Sequence, residues 1–428
     1  MKPKPSTMNG PDHDTSAQVK SFQPLLVKAW NLCSGSVFGA NGSDFSLDPI
    51  MHAAIKRSGV SDFGDTDFLE GLKIFLDSLD KGEAFHPFGR FYVRQMIIAM
   101  LVHRLKLVEL LDHHPEILDE RIVRPVIVLG LPRSGTSLLF NLLAQDPAHR
   151  FMENWEAFIA QVPPNGHYSF TSDPRRKKSK WVLGLQKYLM PDLDKLHAFL
   201  PDGPEECTPI LMQGFATQTL AGGYDVPTFS SWLDEADHEP TYRHHKRVLQ
   251  ALQWKYPGER WLLKSPDHIA AIDAILNIHK DACIVHIHRD PVKSVSSWAS
   301  LNLCYRGVYY RHVDTHELGQ QVLTRLANDL DRYMIERKSQ AAERFLDLQY
   351  ADLMKDPVNT VHQIYNHFGF ELNGQVEKRM QEFLTANPRH KHGVHSYQPE
   401  DFGLTEKMIR RRFEKYMDSF RVSSTVET

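Results

Sequence analysis

The stretch Gly130-Leu131-Pro132-Arg133-Ser134-Gly135-Thr136-Ser137 joins two glycines, one cation and three small hydroxyl side chains at the spacing of a phosphate-binding loop, G-x-x-x-x-G-K-[ST]. Thr136 stands where that pattern carries lysine. The lysine normally reaches the outer phosphates of a nucleoside triphosphate, so its loss argues against a kinase or NTPase. Arg133 supplies a cation from inside the loop instead. The chemistry that suits this set is the grip of a single phosphate that carries a further anionic group.

Two more cations follow apolar runs. Lys264, in Leu263-Lys264-Ser265-Pro266, is in place to face an anion at the first loop, or is a plain surface lysine after a strand. Arg289 precedes Asp290 and Pro291, a helix cap and a first-turn proline, so it sits beside another helix N-terminus. Helix N-termini attract anions. Two anion sites on one sheet edge imply a ligand with phosphates at two places.

The elements that must position these groups are legible as apolar runs. Val126-Ile127-Val128-Leu129 is continuous, as a strand buried on both faces of a parallel sheet is. Trp261-Leu262-Leu263 and Cys283-Ile284-Val285-His286-Ile287 repeat the pattern, and Leu346 to Tyr350 is strand-like. Apolar helices are expected from Ser137 onward and from Pro291 through Ser294, Ser297 and Trp298. In such sheets ligands bind outside the carboxyl ends of the strands. The expected architecture is α/β: a three-layer, P-loop-like fold with a central parallel sheet and a helical N-terminal portion. Residues 1–20 read as disordered, 21–120 as helical and 121–428 as the α/β domain. Phe68, Leu72, Phe75 and Leu79 recur at helical spacing, as do Ile97, Leu101, Leu105 and Val108. These stripes are read as core, cap or oligomerisation surface, with no chemistry assigned; a homodimer is one option among the oligomeric states.

Composition excludes several classes. The net charge of −3 gives no global pull toward nucleic acid or an anionic membrane, so any anion site must be local. The cysteines, Cys33, Cys207, Cys283 and Cys304, are scattered, unlike a disulfide framework or a zinc site. With no apolar signal region at the N-terminus and no run long enough to span a membrane, the expected location is the cytoplasm.

Carboxylates that could act as bases lie in two places. Glu153 and Glu156 follow the loop by 20 and 23 positions from Arg133. Glu205 and Glu206 follow Pro204 in the turn-rich segment that begins at His197; they line a pocket or complement a helix dipole, and for at least one the capping role is favoured. The basic run Arg175-Arg176-Lys177-Lys178-Ser179-Lys180 is read as a solvated helix start, ahead of an anion-steering patch. His286 and His288 share a strand face as metal ligands do, but no third partner has suitable spacing. His390, His392 and His395 lie among Arg389 and Lys391 and fit an anion-binding or surface loop better, so no metal is expected. Arg410, Arg411, Arg412 and Lys415 are read as the solvated face of a C-terminal helix from Thr405 to about Phe420.

Taken in order, the loop at 130–137, Leu263-Lys264-Ser265-Pro266, and Arg289-Asp290-Pro291 with Ser297 resemble the sulfotransferases that use 3′-phosphoadenosine 5′-phosphosulfate, in a bacterial branch akin to the tyrosylprotein sulfotransferases. The resemblance implies that Arg133, Ser134, Gly135, Thr136 and Ser137 hold the 5′-phosphosulfate, Arg289 and Ser297 the 3′-phosphate, and that Tyr350 lies near the nucleotide. Lys391 and Gly393 would belong to the loop that folds over the 3′-phosphate. Lys264 would stabilise the leaving bridging oxygen and Glu156 would be the base, with Glu153, His197 and Glu206 in reserve. Glu156 is preferred because Trp155 beside it offers an apolar wall. Sulfuryl transfer on this reading needs no metal. The aromatic-rich stretch from Asn154 to Tyr242 suits a small apolar or aromatic acceptor hydroxyl, or is core. A P-loop small-molecule kinase, a non-catalytic nucleotide-binding protein and a protein-tyrosine sulfotransferase remain the alternatives.

Overall fold

Five apolar segments pair side by side as one parallel sheet: β1 (Val126–Gly130), β2 (His149–Arg150), β3 (Arg260–Lys264), β4 (Cys283–His288) and β5 (Phe345–Gln349), in the order β2-β3-β1-β4-β5. The computed structural model describes residues 18–20, 24–37, 45–82, 85–159, 169–191, 202–388 and 398–424. β1 and β4 are buried along their whole length. A strand with no solvated face has no reason to alternate polar and apolar residues, hence their unbroken Val/Ile/Leu runs.

Alternate side chains leave opposite faces of the sheet, which makes three layers. Ile127, Leu129, Leu263 and Ile284 join one core with the N-terminal helices; Val126, Val128, Leu262 and Val285 join a second core under later helices. The helices that matter for the site are α1 (Leu25–Val37), α2 (Pro87–His113), α3 (Thr136–Leu143), α4 (Arg175–Leu189) and α5 (Pro291–Tyr309). α3 packs in the second core with the helices Pro357–Phe368 and Gly374–Ala386. The stripe Phe68, Leu72, Phe75 and Leu79 is fully inward on the helix Phe68–Lys81, and its core is continuous with the sheet. The fold is therefore α/β with a central parallel sheet and a helical N-terminal region.

Differences from the sequence reading are local. Gln18–Lys20 pairs antiparallel with His312–Asp314 as a short ribbon, within the stretch expected to be disordered; residues 1–17 lie outside the described residues. The C-terminal helix breaks in two, Glu406–Arg412 and Glu414–Ser419, at Phe413, whose ring is buried. Its charges are not all solvated: Arg410 bonds the Asp290 carboxylate at 3.0 Å and Arg412 pairs with Asp331 at 2.8 Å. Among the described residues no helix is long and apolar enough to cross a membrane.

Candidate active site

β1 ends at Gly130, and α3 begins at Thr136. Between them the chain is folded so tightly that a Cβ at Gly130 would stand 2.4 Å from Ser134 Oγ and 2.9 Å from the Ile287 carbonyl. Gly135 is left-handed, with φ +89°, and a Cβ there would meet Leu353 at 2.9 Å and Tyr350 at 3.1 Å. Arg133 is also left-handed, at φ 66°. Left-handed residues among right-handed ones form the concave backbone that gathers N–H groups around an anion, and the first turn of α3 adds its own unpaired N–H groups. Ser134 is fully buried, and its Oγ has no protein hydrogen-bond partner. A cradle that excludes a Cβ and leaves a buried hydroxyl free fits a phosphate or sulfate group.

The neighbouring strands deliver the other cations to this edge. Val128 of β1 is level with Lys264, the last residue of β3, and Gly130 is level with Ile287 of β4, two residues before Arg289. Lys264 is 7% exposed; its Nζ lies 3.3 Å from Ser137 Oγ and forms a tight ion pair with Glu206. The turn after it is fixed by Asp267, a buried carboxylate that accepts bonds from Ser265 Oγ (2.9 Å), Thr208 Oγ1 (3.1 Å), Thr219 Oγ1 (2.9 Å) and Thr219 N (3.0 Å). Cys207 N donates to the Lys264 carbonyl at 2.9 Å, which holds the 205–207 segment against the strand end. On the other side, the Arg289 guanidinium lies 3.8 Å over the Tyr350 ring and donates to the Arg133 carbonyl, linking the second cation to the first loop. Asp290 caps α5 by accepting from Val292 N at 3.0 Å.

These groups border a single cavity of about 510 Å³, within the usual range for small-molecule sites, about 300–1,000 Å³. Arg133, Gly135, Thr136, Ser137, Lys264, Arg289, Ser297 and Tyr350 all line it. Ser134 is buried behind the loop, and Lys391, Gly393 and His197 lie outside the described residues. Much of the remaining wall is apolar or aromatic, interrupted by polar groups such as Gln186, Thr208 and Asn302. Tyr92 and Met96 come from α2, Met190 from the end of α4, and Leu301 and Tyr305 from α5. The rings of Tyr92, Tyr309 and Tyr224 stack in series, with centroids 5.9 Å and 5.3 Å apart. One helix of the N-terminal region, α2, to which the sequence reading gave no chemistry, thus furnishes part of the cavity wall. From the aromatic-rich stretch 154–242, Phe158 and Tyr224 reach the cavity, whereas Trp155, Phe215 and Phe229 are core.

The carboxylates are sorted differently from their spacing in sequence. Glu156 does not line the cavity: it is fully buried and ion-paired with Arg150, and it accepts from Glu153 N at 3.0 Å as the third residue of the helix Asn154–Phe158. Arg150 is itself sandwiched beside Trp261, 4.7 Å from the ring centroid. Glu153 is occupied by Arg176 (2.6 Å) and Trp155 Nε1 (2.5 Å); burial raises its carboxyl against these bonds. Glu205 and Glu206 do line the cavity. They do not cap a helix, because Pro204–Glu205 pairs antiparallel with Met152–Glu153 and the next helix starts at Thr208. Burial pushes the Glu205 carboxyl up to about 7, against hydrogen bonds from Asn154 (2.8 Å) and Glu206 N (2.9 Å). Breaking a buried ion pair from one side costs about 3–5 kcal/mol. Glu156→Gln is therefore expected to lower stability by about 3 kcal/mol, read as an earlier urea midpoint at unchanged slope.

The histidine pair gains the third partner its spacing did not reveal. Asp347 of β5 is level with His286 and accepts from or pairs with His288 Nε2 at 2.8 Å. However, Arg337 holds both Asp347 oxygens, at 2.6 and 2.5 Å, so the carboxylate is already neutralised. Burial lowers the pKa of both imidazoles.

Residues 125–374 match the model of a family described as the sulfotransferase family. The chain belongs to that family. It is 26% identical over 288 residues to omega-hydroxy-beta-dihydromenaquinone-9 sulfotransferase Stf3 of Mycobacterium bovis and of Mycobacterium tuberculosis, covering 64% of this chain and 69% of theirs. Sulfotransferase STF9 from Mycobacterium avium superposes with a TM-score of 0.79 at 30% identity, over 90% of this chain and 98% of that one. Sulfotransferase STF1 from M. tuberculosis H37Rv gives 0.77 at 29%, over 87% and 100%. The protein is thus a sulfotransferase, and the kinase reading of the altered phosphate loop is set aside.

Proposed function

We propose that this sulfotransferase moves the sulfuryl group of 3′-phosphoadenosine 5′-phosphosulfate onto a hydroxyl of an apolar, lipid-like small molecule. The observation that carries the reading is one cavity whose sheet-edge wall bears two linked anion sites and whose helical wall is tyrosine- and methionine-rich. Residues 133–137 would hold the 5′-phosphosulfate, and Arg289 with Ser297 the 3′-phosphate, beside Tyr350. Transfer forms a bond from sulfur to the acceptor oxygen and breaks the bond from sulfur to the bridging phosphate oxygen. Lys264 neutralises the charge that develops on that bridging oxygen, and the loop N–H groups do the same for the sulfuryl oxygens. The base is Glu206, which stands in the cavity beside Lys264 where Glu156 does not. The Stf3 relatives are named for a hydroxylated dihydromenaquinone, an alcohol on an apolar body, and the apolar wall supports an acceptor of that class over a peptide tyrosine.

The test is calorimetric titration with 3′-phosphoadenosine 5′-phosphate, with ATP in parallel. Tight bisphosphate binding is expected. A hydrogen bond to a charged group contributes about 1.5–3 kcal/mol, so Arg289→Ala should weaken binding on the order of 10- to 100-fold. Radiolabelled transfer to long-chain alcohols, phenols and tyrosine peptides then ranks the acceptors. Preference for ATP, or transfer to the peptides alone, overturns the reading.

A further inference from the structure

One helix that reaches the cavity wall, α4, and a second beside it, α1, carry the wrong residues on their outer faces for a surface that meets only water. α4 turns Ser179 and Leu183 inward, and Gln186 and Met190 reach the cavity. Its opposite face presents Trp181, 70% exposed, with Leu185 and Tyr188 at helical spacing behind it. α1 lies alongside, since Leu26 N donates to Tyr188 Oη at 3.3 Å, and it exposes Leu25, Leu26 and Leu32, each by more than 70%. The apolar surface continues onto α2, where Phe91, also exposed, packs on Trp30 at 5.3 Å, next to Tyr92 in the cavity wall.

Among the described residues, the charge carried by these two helices has one sign. α4 contributes exposed Lys177, Lys178, Lys180 and Lys187, and α1 contributes Lys28. Neither helix contains an aspartate or glutamate. The acids nearby are used on the flanks: Asp173 pairs with Arg175, Glu153 with Arg176, and Asp202 with Arg176 and Lys180. A chain of net charge −3 has concentrated lysine and exposed Trp, Tyr and Leu on one face. That is the composition of helices lying in a bilayer interface, with lysines at the headgroups and aromatic and aliphatic side chains below them.

We infer that α1 and α4 dock this enzyme on an anionic lipid surface, so that the acceptor enters the cavity from the bilayer between α2 and α4. The inference deepens the lipid-like acceptor proposed above and rests on it for its purpose. The surface itself is a separate observation. A second copy of the chain would also cover the apolar face, but the lysines there, Lys28, Lys177 and Lys178 among them, would repel their own symmetry mates, whereas an anionic headgroup layer complements them.

The test is flotation of the full chain with phosphatidylcholine vesicles with and without phosphatidylglycerol, at low and high salt. Binding is expected only when the anionic lipid is present and should weaken with salt. Lys177→Glu with Lys178→Glu should reduce partitioning on the order of tenfold or more, from about 1 kcal/mol per basic residue near the surface. Trp181→Ser with Leu185→Ser should reduce it at both salts. Bisphosphate binding stays at the wild-type value in both variants, which shows them folded. No flotation with anionic vesicles, or flotation equal in wild type and variants, overturns the inference. So does a concentration-dependent dimer that the same substitutions dissolve. If apolar alcohols prove not to be acceptors while flotation follows this pattern, the acceptor reading falls and the docking surface stands.

Discussion

Lys264→Met is expected to lower turnover by about three orders of magnitude while bisphosphate affinity stays within severalfold of wild type. A donor aimed at developing negative charge in a water-poor site contributes about 10²–10³ in rate, and Lys264 is both buried and charged. Its loss acts twice. The bridging oxygen departs without a cation, and Glu206 loses the ammonium that pairs with it. Lys264→Arg keeps the charge but not the compact ammonium, and should recover part of the rate. Because both effects pass through one pair, Lys264→Met and Glu206→Gln should be far from additive in the double variant. Single-turnover rates, with bisphosphate titration alongside, decide the matter. Turnover within tenfold of wild type in Lys264→Met would remove the lysine from the chemistry.

The sheet edge was legible because its physics is local. A strand buried on both faces must be a continuous apolar run, and β1, β3 and β4 are such runs. A tight anion loop must have glycine where a Cβ collides, which holds at Gly130 and Gly135. A cap followed by a first-turn proline announces the start of α5 at Asp290-Pro291. The pairings across the fold were not legible. Glu206 meets Lys264 across 58 positions because the strand pair Pro204–Glu205 with Met152–Glu153 turns it toward β3. Two-residue strands leave no periodicity to read, and proline followed by acids looks the same before a helix as in this ribbon. Glu156 stood at a suitable distance from Arg133 in sequence, but Arg150, six residues earlier, captures it. Helical spacing likewise marked α2 as inward-facing without telling which inward residues meet core and which, such as Tyr92 and Met96, meet the cavity. Periodicity gives the face that is dry; the neighbours of that face come from the rest of the chain.

Glu206→Gln should separate the proposed base from its competitor at Glu156. Removing a general base costs about 10²–10⁴ in rate, so kcat is expected to fall by at least a hundredfold with little change in bisphosphate binding. Folding is also expected to weaken, because the buried Lys264 ammonium keeps its contact with Ser137 Oγ but loses its ion pair, so turnover is read per folded molecule. Glu156→Gln weakens stability as well, but its turnover per folded molecule is retained. The two carboxylates are distinguished by what holds them. Glu156 is enclosed by Arg150 and a helix terminus and does not line the cavity, whereas Glu206 shares the cavity with Lys264, the cation proposed to neutralise the leaving oxygen. On the proposed mechanism, the Lys264–Glu206 pair would keep both charges satisfied in the free enzyme until an acceptor hydroxyl reached the carboxylate and the bridging oxygen reached the ammonium. Loss of turnover at Glu156 with a normal unfolding midpoint, and retention of it at Glu206, would transfer the proton to the other glutamate and require the Arg150 pair to open during catalysis.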